Sequence, residues 1–176
     1  TLMILHCTRK LAARIPASAE RPAEDRKSDD VACALARWHG HVLTFDRRQC
    51  LLFCNDATRY VLFLPGLRAA QFAELGRWHR NLFLAVLQAQ GLPESRLARI
   101  ALTLGPLTVD RETDRSVLGS MGVVADDLKY GLLNRIPNVM ELDPIATSLS
   151  LSDRPCAIHK TWIWPLTAMQ ELVERL

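Results

Sequence analysis

Short apolar runs separated by polar turns dominate the first third of the chain. Three of these runs are rich in Val, Leu and Phe and cover residues 41–46, 49–55 and 59–65. Runs of this length, joined by short polar turns, predict an antiparallel meander of three strands. A further apolar run at residues 2–7 predicts an N-terminal strand. Leu51, Leu52 and Phe53 are consecutive, which indicates a middle strand that is covered on both faces.

The apolar spacing changes to the helical period after Gly66. Apolar residues recur every three or four positions over residues 68–90, which predicts one long helix that stops at Gly91. Further helices are predicted at residues 94–104, 120–133 and 166–176, and a helix start at Asp143-Pro144. Residues 105–115 predict a loop or a short strand, and Trp162 and Trp164 share one face of a last short strand.

These elements predict an α+β fold. Its sheet is small and mainly antiparallel, built from the three-stranded meander and the N-terminal strand, with helices packed mostly on one face. Residues 16–30 contain Pro, Ser and alternating charges but no large apolar side chain. Such a segment cannot bury enough surface to offset its ordering entropy. We therefore interpret residues 1–176 as a single domain with a flexible insertion at 16–30.

Charge and cysteine content indicate which partners and which cellular compartment to expect. The 22 basic and 19 acidic side chains are interleaved, so the net charge of +3 gives no strong field for nucleic acid or anionic lipid. The five cysteines are odd in number and lack C-x-x-C spacing, which favours a reducing cytosol over a disulfide framework. No apolar run reaches the roughly 18–20 residues that span a bilayer. A cytoplasmic location without a membrane partner follows as an expectation.

Two histidines form one candidate catalytic group. His39 and His41 are two residues apart on a predicted strand, so their side chains point the same way, and Asp46 follows. These three residues are the candidate acid–base groups of a small hydrolase or nuclease. No third metal ligand accompanies the two imidazoles, so we predict no metal and no cofactor. The alternative is a structural histidine pair that packs on Trp38 and bonds the backbone.

A second candidate group combines arginines with a glycine- and serine-containing turn that opens a helix. Its members are Arg111, Arg115, Ser116, Gly119 and Ser120. Helix N-termini attract anions, and glycine lets a backbone approach them closely. Glu112 and Asp114 oppose this by partly neutralising the arginines. The alternative is that a serine caps the helix, because Ser is a common capping residue. No phosphate-loop or dinucleotide pattern is present.

Three other polar positions are best explained by packing. Cys50 and Cys54 share a strand face, where free Cys behaves as a small hydrophobe. His79 lies on the apolar face of the long predicted helix, where a core histidine with one satisfied hydrogen bond is expected.

Three stretches together resemble a known family. They are residues 3–11, residues 38–56 continuing to Leu64-Pro-Gly-Leu67, and residues 114–121. The family consists of small bacterial proteins catalogued only as a domain of unknown function, some of them linked to plasmids. The resemblance covers most of the chain in order, but Gly122 and Val123 stand where the family has Asn and Asp. It implies a bacterial, plasmid-associated setting and no particular activity.

Three hypotheses from different classes remain. The first is a binding module that takes an anionic ligand or a nucleic-acid backbone through the arginine group. The second is a small hydrolase or nuclease that uses His39, His41 and Asp46. The third is a structural partner protein of a mobile-element system. No complete catalytic motif is present, which favours the first hypothesis.

Overall fold

The computed structural model describes residues 1–16 and 30–176. Its strands are β1 Met3–Cys7, β2 Arg37–Phe45, β3 Arg48–Asn55, β4 Val61–Leu64, β5 Leu107–Asp110, β6 Cys156–Ile158 and β7 Thr161–Ile163. Its α-helices are α1 Arg9–Ala12, α2 Val31–Ala36, α3 Ala69–Phe72, α4 Leu75–Ala89, α5 Glu94–Thr103, α6 Arg115–Asp126, α7 Pro144–Ser152 and α8 Pro165–Glu174. A π-helical turn, Asp127–Leu132, continues α6, and short 3-10 turns follow at Leu133–Arg135 and Val139–Glu141. The predicted α+β class is confirmed.

The main sheet has five strands in the order β4-β3-β2-β1-β5. The meander β2–β3–β4 is antiparallel, with eight and four paired residues, whereas β1 pairs in parallel with β2 and with β5 over four residues each. The predicted sheet, a meander plus the N-terminal strand, is therefore wrong in its extent. The additional strand is β5, which comes from the segment predicted as a loop or short strand. Because β1 is apolar and buried, the backbone groups along both of its edges need hydrogen-bond partners. β2 supplies them on one side, and β5 supplies them on the other.

Helices cover both faces of the sheet rather than mostly one. On the first face, α4, α5 and α8 pack over Leu51 and Phe53. On the second face, α6 and the π-helical turn pack over Cys50, Leu52 and Cys54, and the prediction of buried structural cysteines agrees with this. The physical reason is the strand period of two, which sends the consecutive apolar residues of β3 to opposite faces. Each face of the sheet therefore needs its own layer of helices.

The long helix predicted at residues 68–90 is divided into α3 and α4. Between them the chain leaves the helical conformation at Glu74, where φ is −121° and ψ is 29°. Gly76 in the first turn of α4 lies against β5, since a Cβ there would come within 2.9 Å of the Leu107 Cβ. The missing side chain at this position lets α4 approach the edge strand.

His79 lies at the centre of the first face. Its ring contacts the rings of Trp38, Phe53 and Phe83 at centroid distances of 4.4, 4.9 and 5.9 Å. Neither ring nitrogen has a hydrogen-bond partner, so the predicted single hydrogen bond of a core histidine is wrong. Burial lowers the pKa of His79 to about 3, and the charge of Arg80 adds to this. The imidazole is therefore neutral at physiological pH.

Two predictions concern the chain as a whole. The predicted insertion at 16–30 falls almost entirely outside the described residues, and it stays a prediction together with the single-domain assignment. Among the helices in residues 1–16 and 30–176, none is long and apolar enough to cross a membrane.

Candidate functional site

A row of polar residues crosses the sheet at the carboxyl ends of β1 and β5. Asp110 on β5 pairs with His6 on β1, and His6 pairs in turn with His39 on β2. The next position in this row is Cys54 on β3, whose side chain packs with α6 on the second face. Because residues aligned across a sheet point to the same face, the two histidines lie beneath α6.

His6 lies between two carboxylates. Its Nδ1 is 2.7 Å from Asp110 Oδ1, and its Nε2 is 3.5 Å from Asp56 Oδ2. Burial lowers the pKa of His6, but the hydrogen bond to Asp110 and the charges of both carboxylates outweigh this and raise the pKa overall. The surroundings of His6 thus favour the imidazolium form.

His39 is bonded through both ring nitrogens. Nδ1 lies 2.7 Å from Asp56 Oδ1, and Nε2 accepts a hydrogen bond of 2.8 Å from the backbone N–H of Asp114. A backbone N–H can only donate, so the proton of neutral His39 belongs on Nδ1, where it is donated to Asp56. The Asp56 carboxylate therefore joins His6 and His39, whose rings are 4.9 Å apart. We call Asp110, His6, Asp56 and His39 the histidine network.

The start of α6 closes the network from above. The Asp114 carboxylate caps α6 by accepting hydrogen bonds from the N–H groups of Ser116 at 2.6 Å and Val117 at 3.2 Å. The hydrogen bond from Val117 is the largest cause that lowers the pKa of Asp114, and the charge of Arg59 adds to it. The helix begins at Arg115 rather than at the predicted residue 120, because the capping residue is an aspartate and not a serine.

Arg59 is a buried cation next to the network. It is 4% exposed and has a positive φ of 59°. Its guanidinium donates one hydrogen bond to the Asp56 carbonyl oxygen and one, of 3.0 Å, to the Ser116 hydroxyl. Both acceptors are neutral, Nε has no partner, and no carboxylate within the described ranges forms an ion pair with it. Its positive charge is compensated only at longer range.

The predicted catalytic group does not converge. His39 belongs to the network, and His41 lies two residues along β2, where its Nδ1 is 2.9 Å from Thr8 Oγ1. Burial lowers the pKa of His41, and Lys10 adds to this. Asp46 lies in the β2–β3 turn at the other end of the strand, where its Oδ2 accepts a hydrogen bond from the Val139 N–H.

The predicted anion-binding group lies along α6 and just before it. Arg111 and Arg115 are exposed on either side of the cap, and Ser116 is half-buried beneath them. Ser120 is buried, and its hydroxyl bonds the Ser116 carbonyl at 3.2 Å. A Cβ at Gly119 would meet nothing within 4 Å, so this glycine faces open space. Among residues 1–16 and 30–176, no group of three or more His, Cys, Asp or Glu is arranged to hold a metal ion.

Sequence reasoning missed His6, Asp56 and Asp110. One signal was available, because each stretch that carried the family resemblance contributes to this place. Residues 3–11 supply His6, residues 38–56 supply His39 and Asp56, and residues 114–121 supply the cap of α6. Polar residues from all three stretches thus meet at the carboxyl ends of β1 and β5.

A separate open cleft of about 340 Å³ lies between the π-helical turn and α7. Its lining includes Tyr130, Arg135 and Arg154, but no residue of the histidine network. Arg154 forms an ion pair of 3.1 Å with Asp127 there, so one of its two basic groups is already neutralised. The cleft and the network are thus different places on the second face.

Comparison with known proteins gives one match. No curated protein and no solved structure matches the chain. The model of a family described as "Domain of unknown function (DUF6933)" matches residues 4–168 and so contains the network, Arg59 and α6. This agrees with the resemblance to a family catalogued as a domain of unknown function. The chain belongs to the DUF6933 family.

Proposed function

We propose that this domain is a binding module for an anionic ligand, held at the start of α6. The observation that carries the proposal is the buried guanidinium of Arg59, whose hydrogen bonds end on neutral oxygens. Removing a charge from water without a paired countercharge is costly. An anion bound above Ser116 would supply a direct countercharge, beside the longer-range one from Asp114.

The backbone at Arg59 supports the same proposal. A positive φ is uncommon outside glycine and costs free energy, and such strain persists mostly where the surroundings impose it, often at functional sites. A glycine would be the cheaper residue for this turn. Arginine at this position instead places its cation under Ser116.

Side chains, rather than helix N–H groups, are the contacts we assign to the ligand. Asp114 already occupies the N–H groups of Ser116 and Val117, so an anion would have to displace it to reach them. The Ser116 hydroxyl accepts from Arg59 and keeps its own proton for donation to a ligand oxygen. Arg115 is exposed beside it and can grip an oxyanion with two parallel hydrogen bonds.

The position in the fold is a further support. In open sheets with parallel strands, ligands often bind outside the carboxyl ends of two adjacent strands. The favoured place is the crevice where the chain leaves these two strands in opposite directions. From β1 the chain leads to β2 on one side, whereas β5 lies on the other. The start of α6 follows β5 at this crevice.

The experiment is a titration of the full chain with inorganic phosphate and pyrophosphate by calorimetry at two salt concentrations. Arg115→Ala should weaken binding about fivefold, the effect of losing one exposed charge contact of about 1 kcal/mol. Binding should also weaken with salt. Arg99→Ala, on the exposed face of α5, is the matched control and should bind as the wild type does. Absence of binding at millimolar ligand, or equal binding by the Arg115 variant, would contradict the proposal.

A hydrolase is the second candidate, and one contact favours it. The Thr8 hydroxyl and His41 Nδ1 are 2.9 Å apart, which is the distance expected between a nucleophile and its base. In this form the hydrolase would use His41 with Thr8 instead of the set His39, His41 and Asp46. A Thr8→Val variant that keeps all ester and phosphoester hydrolysis of the wild type would contradict it.

The setting is proposed on separate grounds. All five cysteines are free, including Cys33 outside the core, which supports a reducing compartment such as a bacterial cytosol. The role of a structural partner in a plasmid-associated system stays a prediction, since no contact of the described residues bears on it.

A further inference from the structure

We propose that the anion site at the start of α6 is regulated by a proton, and that it binds its ligand more tightly while His6 is an imidazolium. This inference rests on the proposed function and names the regulation of the same site. Its first support is the position of His6, whose Nδ1 lies 2.7 Å from Asp110 Oδ1 and whose Nε2 lies 3.5 Å from Asp56 Oδ2. Only the imidazolium has an N–H on both ring nitrogens and can donate toward both carboxylates.

Loss of the proton leaves Asp56 without a cationic partner in the histidine network. Neutral His6 has one N–H, which belongs to the closer acceptor Asp110, so the Nε2 lone pair then faces the Asp56 carboxylate. His39 supplies no charge in its place, because its Nε2 accepts the Asp114 N–H and the ring is therefore neutral. The network changes from one net negative charge (two carboxylates and one imidazolium) to two.

Two routes of contacts connect Asp56 to Ser116, to which we assign the ligand. In the first route, the Asp56 carbonyl oxygen accepts from Arg59, whose guanidinium donates to the Ser116 hydroxyl at 3.0 Å. The second route begins at His39, which lies 2.7 Å from Asp56 Oδ1 and accepts from the Asp114 N–H at 2.8 Å. It ends where Asp114 Oδ1 accepts from the Ser116 N–H at 2.6 Å. A change of charge beside Asp56 therefore acts next to the bound anion.

The groups that face His6 set the direction of the pH dependence. Burial lowers the pKa of His6, and the charge of Arg37 on β2 adds to this. The hydrogen bond to Asp110 and the charges of Asp56 and Asp110 outweigh both effects and raise the pKa above 6.5. His6 therefore keeps its proton at pH 6.5 and loses it as pH rises through the folded value. Anion affinity should fall in the same direction.

The other charged groups at this place keep their charges while His6 titrates. The guanidinium groups of Arg59 and Arg115 stay protonated in this range. The hydrogen bond from Val117 is the largest cause that lowers the pKa of Asp114, which stays a carboxylate. Cys54, the next residue in the row across the sheet, stays a neutral thiol because burial raises its pKa to about 12.

The first experiment is a calorimetric titration of the full chain with sulfate at pH 6.5 and pH 9.5, at constant ionic strength. Sulfate keeps its charge over this range, whereas phosphate groups titrate near pH 6. Sulfate should bind the wild type about fivefold more weakly at pH 9.5, the lower end of the usual coupling between two sites. His6→Gln should bind sulfate equally at both pH values. His159→Gln removes an exposed histidine of the β6–β7 turn and should keep the wild-type difference.

The second experiment reads His6 directly in the wild type and needs no variant to fold. Because coupling is reciprocal, a bound anion should raise the proton affinity of His6 by the same factor of about five. NMR titration of the imidazole carbons between pH 6 and pH 10 measures this affinity without anion and with saturating sulfate, phosphate or pyrophosphate. The result thus does not depend on which of these anions the site prefers.

The outcomes separate this inference from the proposed function. A bound anion that leaves the proton affinity of His6 unchanged overturns the inference and leaves the anion site standing. The same conclusion follows if His6 does not titrate in this range, or if a folded His6→Gln variant keeps the pH dependence of sulfate binding. Absence of binding by all three anions at millimolar concentration overturns both.

Discussion

The two faces of the main sheet contain histidines in opposite environments. Trp38 points to the first face, where it packs on His79, and His39 points to the second face, where it bonds Asp56. His79 is surrounded by rings and has no hydrogen bond, whereas His6 and His39 are held by carboxylates. Burial is nearly complete for both His79 and His6, so the different pKa shifts of these two imidazoles follow from their partners and not from their depth.

The two environments impose opposite pH dependence on folding. The pKa of His79 is lowered from 6.5 to about 3, so its unfavourable protonation affects stability as pH falls below 6.5. The pKa of His6 is raised above 6.5, so its contribution is complete below that pH and is lost as pH rises through the folded value. The apolar face loses stability in acid, and the histidine network loses it in base.

Asp56→Ala should have the largest effect, because it removes the acceptor shared by both histidines of the network. Breaking a buried charged pair by deleting one partner costs about 3–5 kcal/mol, and 24% exposure of the Asp56 side chain reduces this to about 2–4 kcal/mol. Urea denaturation measures the loss. Glu74→Gln breaks an exposed ion pair with Arg77 and serves as the control, with an effect below about 1 kcal/mol. A loss no larger than the control would mean that the network adds no stability.

His79→Met should stabilise the protein in acid. The replacement removes two unsatisfied ring nitrogens and keeps an adaptable apolar side chain among Trp38, Phe53 and Phe83. At pH 5 the variant should gain about 2 kcal/mol relative to its difference from wild type at pH 8, from 1.5 pH units below 6.5 at 1.36 kcal/mol each. Denaturation at both pH values measures this. An equal difference at the two values would show that His79 has a partner that is not apparent from its ring contacts.

His6→Gln should show the opposite trend. Wild type should exceed the variant by about 1 kcal/mol at pH 5.5, where the hydrogen bond between imidazolium and Asp110 is complete. The difference should shrink as pH rises, since the raised pKa of His6 means that the folded state releases its proton only above 6.5. Denaturation between pH 5.5 and 9 gives the curve. A difference that grows with pH would contradict an imidazolium between two carboxylates.

Gly119→Ala should have the smallest effect and a favourable one. The position is helical and open, so alanine should add about 0.5–1 kcal/mol of stability. Phosphate binding should not change, because a Cβ there meets no atom within 4 Å. Reduced phosphate affinity in this variant would restore the sequence-based idea that Gly119 lets the backbone approach the anion.

The sequence predicted those parts of the fold that depend on neighbouring residues. The meander followed from apolar runs and turns, and the consecutive apolar residues 51–53 indicated a strand covered on both faces. The network could not be predicted in this way, because Asp110 and His6 are 104 residues apart and meet only through the parallel register of β1 and β5. The start of α6 was misplaced because the serines drew attention from Asp114, the residue that caps it.

The central position of β1 has a consequence for the order in which the chain folds. β1 lies early in the sequence, yet the partner for its second edge, β5, comes about 100 residues later, with Met3 paired to Leu107. At a synthesis rate of about 5–20 residues per second, this edge waits for its partner for roughly 5–20 s. The meander needs only nearby residues and can form first. The contact between His6 and Asp110 therefore cannot form before the ribosome has delivered β5, so the histidine network is completed later than the meander.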